Sequence, residues 1–434
     1  MKTINREILA LAIPSIVSNI TTPLLGLVDT AVTGHMGSAS YVGAIAVGSG
    51  MFSLVYWPMA FLRMGTSGIT SQAYGAGENT LTTLCRATVV AAVVSLLLIA
   101  ISPILATGLL AFMDADATTT AYARTYFLIV VYGAPAVLGT YVLTGWFLGM
   151  QDSRSPMWMA LVTNVTNIAI SLTLVYSLGM KIHGVAIGTL SAQWLGMICG
   201  IIFLLAKTHK LKTAEPISVK EILDKKQLRR FFTVNVDIFL RTLCLASVTL
   251  WFTHAGALNG TDALAANALL MQLFILFSYF MDGFAFAGEA MSGKYFGAKD
   301  YGKLKATIKG IFSWGAIVVI LFTLIYGLFG KEILQLLSDD HTIVSTAMRY
   351  LPWAIAIPVA GVSAFVWDGI FIGTTLTRQM LQSMVSAMIM YFILYFTLDP
   401  ILGNHGLWLA FIIYLSARGA VQTWLWKRYS PISK

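Results

Sequence analysis

Residues 84–112 read LCRATVVAAVVSLLLIAISPILATGLLAF, a run whose one charge, Arg86, stands near its start. At 1.5 Å rise per residue, roughly 20 apolar residues carry a helix across the hydrocarbon core of a bilayer. Comparable runs, bounded by Gly, Pro and charge, occupy 8–34, 43–71, 121–149, 156–178 and 184–206 around it. Six more follow at 231–254, 262–288, 306–330, 342–373, 377–398 and 405–427. Twelve spanning helices are therefore expected in an all-α integral membrane protein. A β-barrel would instead show alternating strands of about ten residues.

Composition agrees. The 434 residues are 57% hydrophobic and 11% charged, with mean hydropathy +0.78. A soluble domain has about 25% charged residues, so the surplus apolar surface must face lipid. The net charge of +9 lies mostly in loops, which marks topology and not a nucleic-acid partner. With the N-terminus inside, the inner set holds Lys2, Arg6, Arg86, Arg154, the cluster from Lys207 to Arg230, Lys294 to Lys309, Arg378, Lys427, Arg428 and Lys434. The outer set holds Arg124, Lys181, Lys331 and Arg349. Both termini are thus expected in the cytoplasm of a cell whose inner membrane the chain spans. Cys85, Cys199 and Cys244 stand far apart, and the six histidines are scattered, so neither disulfides nor a metal site is expected.

The chain reads as a duplication. The polar stretch 207–230, KTHKLKTAEPISVKEILDKKQLRR, separates an N-lobe at 1–206 from a C-lobe at 231–434. YGAGE at Tyr74–Glu78 answers FGAKD at Phe296–Asp300, GWFLG at Gly145–Gly149 answers GIFIG at Gly369–Gly373, and His183-Gly184 answers His405-Gly406. The offsets are 222, 224 and 222 residues. Six spans per half make this a parallel repeat of two pseudo-symmetric lobes, a design that alternates access to a site between them.

Ionisable groups at membrane depth are expensive, so each needs a reason. Asp29 has no cation at helical spacing; it either binds a proton or cation, or stays hydrated near the interface. Asp237 stands four residues before Arg241, which suggests a structural ion pair on one helix face. Asp282 and Glu289 share a face two turns apart, and Asp368 has no cation nearby in sequence. Structural and functional roles are both open to them. Asn164, Asn167, Ser171, Thr189 and Gln193 can offer oxygen ligands to a small cation, or simply hold helices together. Pro14 removes a backbone hydrogen bond below Asp29 and permits a bend.

Several stretches together resemble the multidrug and toxic compound extrusion (MATE) transporters, and within them the DinF-like branch. They are AIPSIVSNITTPLLGLVDTAVTGHMGS at 12–38, FLRMGTSGITSQAYGAG at 61–77, FLGMQDSRSP at 147–156, DGFAFAGEAMSGKYFGAKD at 282–300 and WDGIFIGTTLTRQM at 367–380. The resemblance covers both halves. It implies export of cationic or amphipathic small molecules against proton or sodium entry, with no cofactor. It identifies Asp29 as the first-helix coupling aspartate, Pro14 as the hinge, and Asn167 and Thr189 as pocket residues. Asp368 and Glu289 match further motif positions of the DinF-like branch. Where many members carry an aspartate four residues after the asparagine, this chain has Ser171, which favours proton over sodium coupling. The alternative function is a lipid-linked saccharide flippase of the same superfamily, although membrane-depth acids outnumber Arg63, Arg241 and Arg418. An enzyme is not expected: there is no HExxH, and Gly65-Thr66-Ser67-Gly68 is not a GxSxG motif. A monomer suffices, since one chain holds both lobes.

Overall fold

A computed structural model describes residues 2–34, 39–113, 116–211, 219–222 and 224–430. Twelve long helices account for nearly all of them. The first six are α1 (Lys2–Gly34), α2 (Ser40–Ala76), α3 (Leu81–Met113), α4 (Ala117–Gly149), α5 (Arg154–Ser177) and α6 (Lys181–Leu211). After a single turn at Val219–Ile222 come α7 (Lys225–Leu258), α8 (Thr261–Gly297), α9 (Tyr301–Leu337), α10 (His341–Gly373), α11 (Thr377–Leu402) and α12 (Asn404–Tyr429). Among the described residues, ten of these are long and apolar enough to cross a membrane. The other two, α1 and α12, are 33 and 26 residues long.

Most helices overrun the apolar run that announces them, because their polar ends carry capping groups. Asp116 accepts hydrogen bonds from the N–H groups of Thr118 and Thr119, Asp300 from that of Lys303, and Asp340 from those of Thr342 and Ile343. Each satisfies amides that the first helical turn leaves without partners. Proline or glycine marks the internal irregularities: α2 passes through a 3-10 turn at Pro58–Ala60, and α4 through one at Val131–Gly133, just before Pro135. Large apolar side chains point outward, Ile104 and Ile401 each 79% exposed, while Thr66, Ser67 and Ser71 of α2 are fully buried. That inside-out distribution suits lipid as the solvent.

The chain divides into two compact units, Val17–Asn235 and Met1–Ile16 with Val236–Lys434. The division falls inside α1 and α7, and not at the polar stretch 207–230 that the sequence offers as a lobe boundary. The composition of α1 and α7 does not change at either junction, so nothing local marks the passage. Residues 212–218 and 223 of that stretch lie outside the described residues. Within the second unit, the start of α1 packs on α8 and α9. A Cβ on Gly283 would stand 3.0 Å from the Ala12 carbonyl oxygen, and one on Gly310 would stand 2.8 Å from Ile8. The Tyr295 hydroxyl donates to the Glu7 carboxylate at 2.9 Å, with Lys294 3.5 Å from the same group. Within the first unit, the start of α7 packs on α2: Asn235 fills the space above Gly65, and Arg230 donates to Gln72. Arg86 donates to the carbonyls of Glu221 and Ile222, holding the isolated turn against α3.

The duplication is written into the backbone of each unit. Left-handed φ angles occur at Gly77, Gln151 and Gly179, and again at Lys299, Thr375 and Gly403, which follow them by 222, 224 and 224 residues. Close helix contacts repeat as well. Gly145 lies against the Arg63 carbonyl and Gly369 against that of Ala285; Gly149 lies against Ser67 and Thr70, and Gly373 against Glu289 and Ser292. Only glycine allows backbones so near, which is why the GWFLG and GIFIG words recur.

Candidate functional site

The first unit gathers polar groups from five helices in its interior. Asp29 on α1 is 3% exposed, and Asn167 and Ser171 on α5 are fully buried. Asn167 and Ser171 lie four residues apart and so share a helix face. The Asn167 amide donates to the Thr189 hydroxyl of α6 at 3.0 Å. Tyr126 of α4 interacts with the hydroxyls of Thr189 and Ser49 and lies near enough to Asp29 to feel its charge. Glycines let these groups approach: a Cβ on Gly188 would overlap the Ser171 hydroxyl, and one on Gly48 would stand 2.5 Å from the Tyr126 ring.

Oxygen predominates in this pocket. Among the described residues, Asp29 Oδ1, Asn167 Oδ1 and Ser171 Oγ are buried with no hydrogen-bond partner. Buried polar groups without partners are costly, and most native structures satisfy them. A buried carboxylate such as Asp29 favours a proton, and oxygens of this kind are also ligands for a small hard cation. Among the described residues, no three His, Cys, Asp or Glu side chains come together as a metal-binding group.

Four of the sequence-derived residues, Asp29, Asn167, Ser171 and Thr189, thus belong to this unit's buried polar set, with Tyr126 in addition. Nothing in the local sequence distinguishes Tyr126 from the chain's 16 other tyrosines, because its significance lies in a contact between α4 and α6. Asn164 plays a different part, donating to the Thr21 carbonyl at 2.8 Å and tying α5 to α1. Gln193 packs its side-chain oxygen over Gly133, at the 3-10 turn of α4. Pro14 is buried inside α1, two residues before the helix passes from one compact unit to the other.

The second unit holds a charged cluster. Asp368 of α10 accepts from Arg241 of α7, from Arg418 of α12 at 2.6 Å, and from the Gln422 amide at 2.6 Å. The expected Asp237–Arg241 pair is therefore corrected. Arg241 is buried, and the carboxylate within its reach is on α10, 127 residues away. Asp237 is half-buried and accepts from the Thr377 hydroxyl at 2.9 Å, at the start of α11. Helical spacing places two side chains on one face, but the neighbouring helices decide which partner each meets. On α8, Glu289 is buried and Asp282 half-buried.

Comparison with known proteins fits both units. The MatE family model matches residues 14–173 and again 236–397, so its second copy begins 222 residues after its first. The DNA damage-inducible protein F of Escherichia coli K12 is 38% identical over 423 residues, covering 96% of this chain and 91% of the relative. A probable multidrug resistance protein NorM of Thermotoga maritima is 22% identical over 356 residues, covering 79% of this chain and 74% of the relative. A crystal structure of MATE in the straight conformation shares the fold with TM-score 0.88 at 18% identity, covering 99% of this chain and 96% of that one. The all-helical architecture in two lobes is therefore that of the family, whose members are membrane transporters and not enzymes. With both halves matched in turn and a relative of 38% identity along almost its whole length, this chain belongs to the MATE family of multi-pass membrane transporters.

Proposed function

We propose that the protein is a proton-coupled antiporter that exports cationic or amphipathic small molecules, with Asp29 as the group that exchanges proton for substrate. The observation that carries this reading is the buried Asp29 carboxylate, whose Oδ1 has no partner among the described residues. An anion held away from water attracts either a proton or an organic cation, and the two compete for it. Ser171, at the position where the family resemblance implies a second carboxylate in many members, supports the proton over sodium. A sodium ion gains most from several charged and neutral oxygens together, whereas a proton needs one carboxylate.

In this cycle a proton entering from outside neutralises Asp29, and the first unit no longer holds a cationic substrate. Tyr126, which senses the Asp29 charge, and the Asn167–Thr189 pair supply the polar surroundings in which that charge changes. Pro14, which has no N–H to give to the helix, lets α1 bend as the charge changes. The charge change thereby biases a two-state packing element, as coupled transport requires. The chain would act as a monomer in the inner membrane, with both termini in the cytoplasm, as the Lys/Arg distribution supports. The test is ethidium export from proteoliposomes by wild type and Asp29→Asn. The asparagine variant should lose export driven by an imposed proton gradient; export at the wild-type rate would sink the proposal.

A further inference from the structure

A cavity of about 480 Å³ lies in the second unit, between α7 and the start of α11. Its volume falls within the range of small-molecule sites, about 300–1,000 Å³. Asp237 forms the α7 wall, and Arg378, Leu381, Gln382, Val385 and Ser386 form the α11 wall. Arg378, Gln382 and Ser386 are exposed, so the cavity opens to the surface. An export cycle built on Asp29 uses none of these residues.

The two charges line the cavity without closing on each other. Asp237 is half-buried, and its Oδ2 accepts from the Thr377 hydroxyl at 2.9 Å. Its other oxygen has no partner among the described residues. Arg378 is near enough to act on the Asp237 charge but makes no ion pair or hydrogen bond among the described residues. No third charged group acts on Asp237 among the described residues. A carboxylate with a free oxygen beside a guanidinium with free donors suits a ligand that carries both signs.

The rest of this helix face shows what the ligand has beyond its charges. Steps of three and four residues from Arg378 lead through Leu381, Val385, Ile389, Ile393 and Phe396. The last three are each more than half exposed. From Arg378 to Ile389 the helix rises about 17 Å, one leaflet's share of a hydrocarbon core of about 30 Å. A charged pocket at the head of an exposed apolar stripe of that length fits one phospholipid, with its headgroup in the cavity and an acyl chain along the stripe.

We propose that this groove binds a phospholipid whose headgroup carries a primary ammonium, of the phosphatidylethanolamine class, with its phosphate on Arg378 and its ammonium on the free Asp237 oxygen. The guanidinium presents parallel N–H donors to the phosphate, and the carboxylate accepts from the ammonium. A choline headgroup has no N–H to give. A glycerol headgroup brings an anion with no cation to offset Asp237. The binding does not depend on the export reading.

The test is native mass spectrometry of the purified full-length protein, delipidated in detergent, reading the first lipid bound. Phosphatidylethanolamine, phosphatidylcholine and phosphatidylglycerol of identical acyl chains are titrated in turn. Wild type should bind the ethanolamine lipid at least about threefold more tightly than either of the others, as a partly exposed charge contact allows. Asp237→Asn keeps an oxygen for the Thr377 hydroxyl and should erase the preference over the choline lipid. Arg378→Gln should weaken both of those lipids, which share the phosphate. A smaller preference in wild type, or one that survives Asp237→Asn, would overturn the proposal. Displacement of the bound lipid by ethidium would assign the groove to an organic cation and overturn it too. Since no gradient is present, failed ethidium export would count against the antiporter reading and leave this result standing.

Discussion

Removing the shared carboxylate should harm the second unit more than removing either arginine. Asp368→Asn leaves Arg241 and Arg418 side by side with no anion between them, and it weakens the hydrogen bonds that both make to one oxygen. Breaking a buried pair by deleting one partner costs about 3–5 kcal/mol, because a charge stays buried without compensation. Arg418→Gln loses one bond of 2.6 Å but leaves Arg241 paired one-to-one with Asp368, so its cost is closer to that of a charged hydrogen bond, about 1.5–3 kcal/mol. At roughly 2–4 °C per kcal/mol for a unit of this size, the midpoints of those costs place the aspartate variant's melting point about 3–7 °C below that of the arginine variant. Intrinsic tryptophan fluorescence reports the transition, since Trp367 adjoins Asp368 and the Trp426 ring lies tilted against the Trp367 ring, 5.2 Å between centroids. Equal melting points, or a lower one for Arg418→Gln, would refute the view that Asp368 is the shared anion on which both arginines depend.

Two further outcomes are expected. Gly145→Ala and Gly369→Ala place a methyl against the Arg63 and Ala285 carbonyls, so each should cost about 1–3 kcal/mol in a detergent melt, and by similar amounts if the two repeats are packed alike. The pair between Asp152 and Lys207, at 2.9 Å, links the α4–α5 loop to α6. Burial raises the Asp152 carboxyl, but the Lys207 ammonium and the Ser155 N–H and hydroxyl outweigh it and hold the group below the usual carboxylate range. A depressed value stabilises the fold above the unfolded carboxylate pKa of about 3.9 and fades as pH falls through the lower folded value. The melting-point gap between wild type and Lys207→Met should therefore persist from pH 7 to 5 and close below about pH 4.

The spanning helices and the duplication were legible because they rest on local quantities. Lipid demands long apolar runs, and glycine is required wherever two backbones touch, so Gly145–Gly149 and Gly369–Gly373 declare both the helix ends and the repeat. Asp29, Asn167, Ser171 and Thr189 were legible because polar groups are rare in such runs. What escaped were partnerships across helices. Arg241 has a carboxylate four residues away and uses one 127 residues away, since burial and the position of α10 choose its partner. Tyr126 was hidden among many aromatics with no local mark. The passage of α1 and α7 from one unit to the other was equally hidden, because an apolar residue does not say which helix it faces.

The central claim is proton coupling through Asp29, and the most direct measurement is ethidium efflux from proteoliposomes with proton and sodium gradients imposed separately. The account predicts export under the proton gradient alone, its loss in Asp29→Asn, and no export under sodium alone. Export that requires sodium would contradict it, and would mean that the pocket around Asn167 and Ser171 completes a cation site without a second carboxylate.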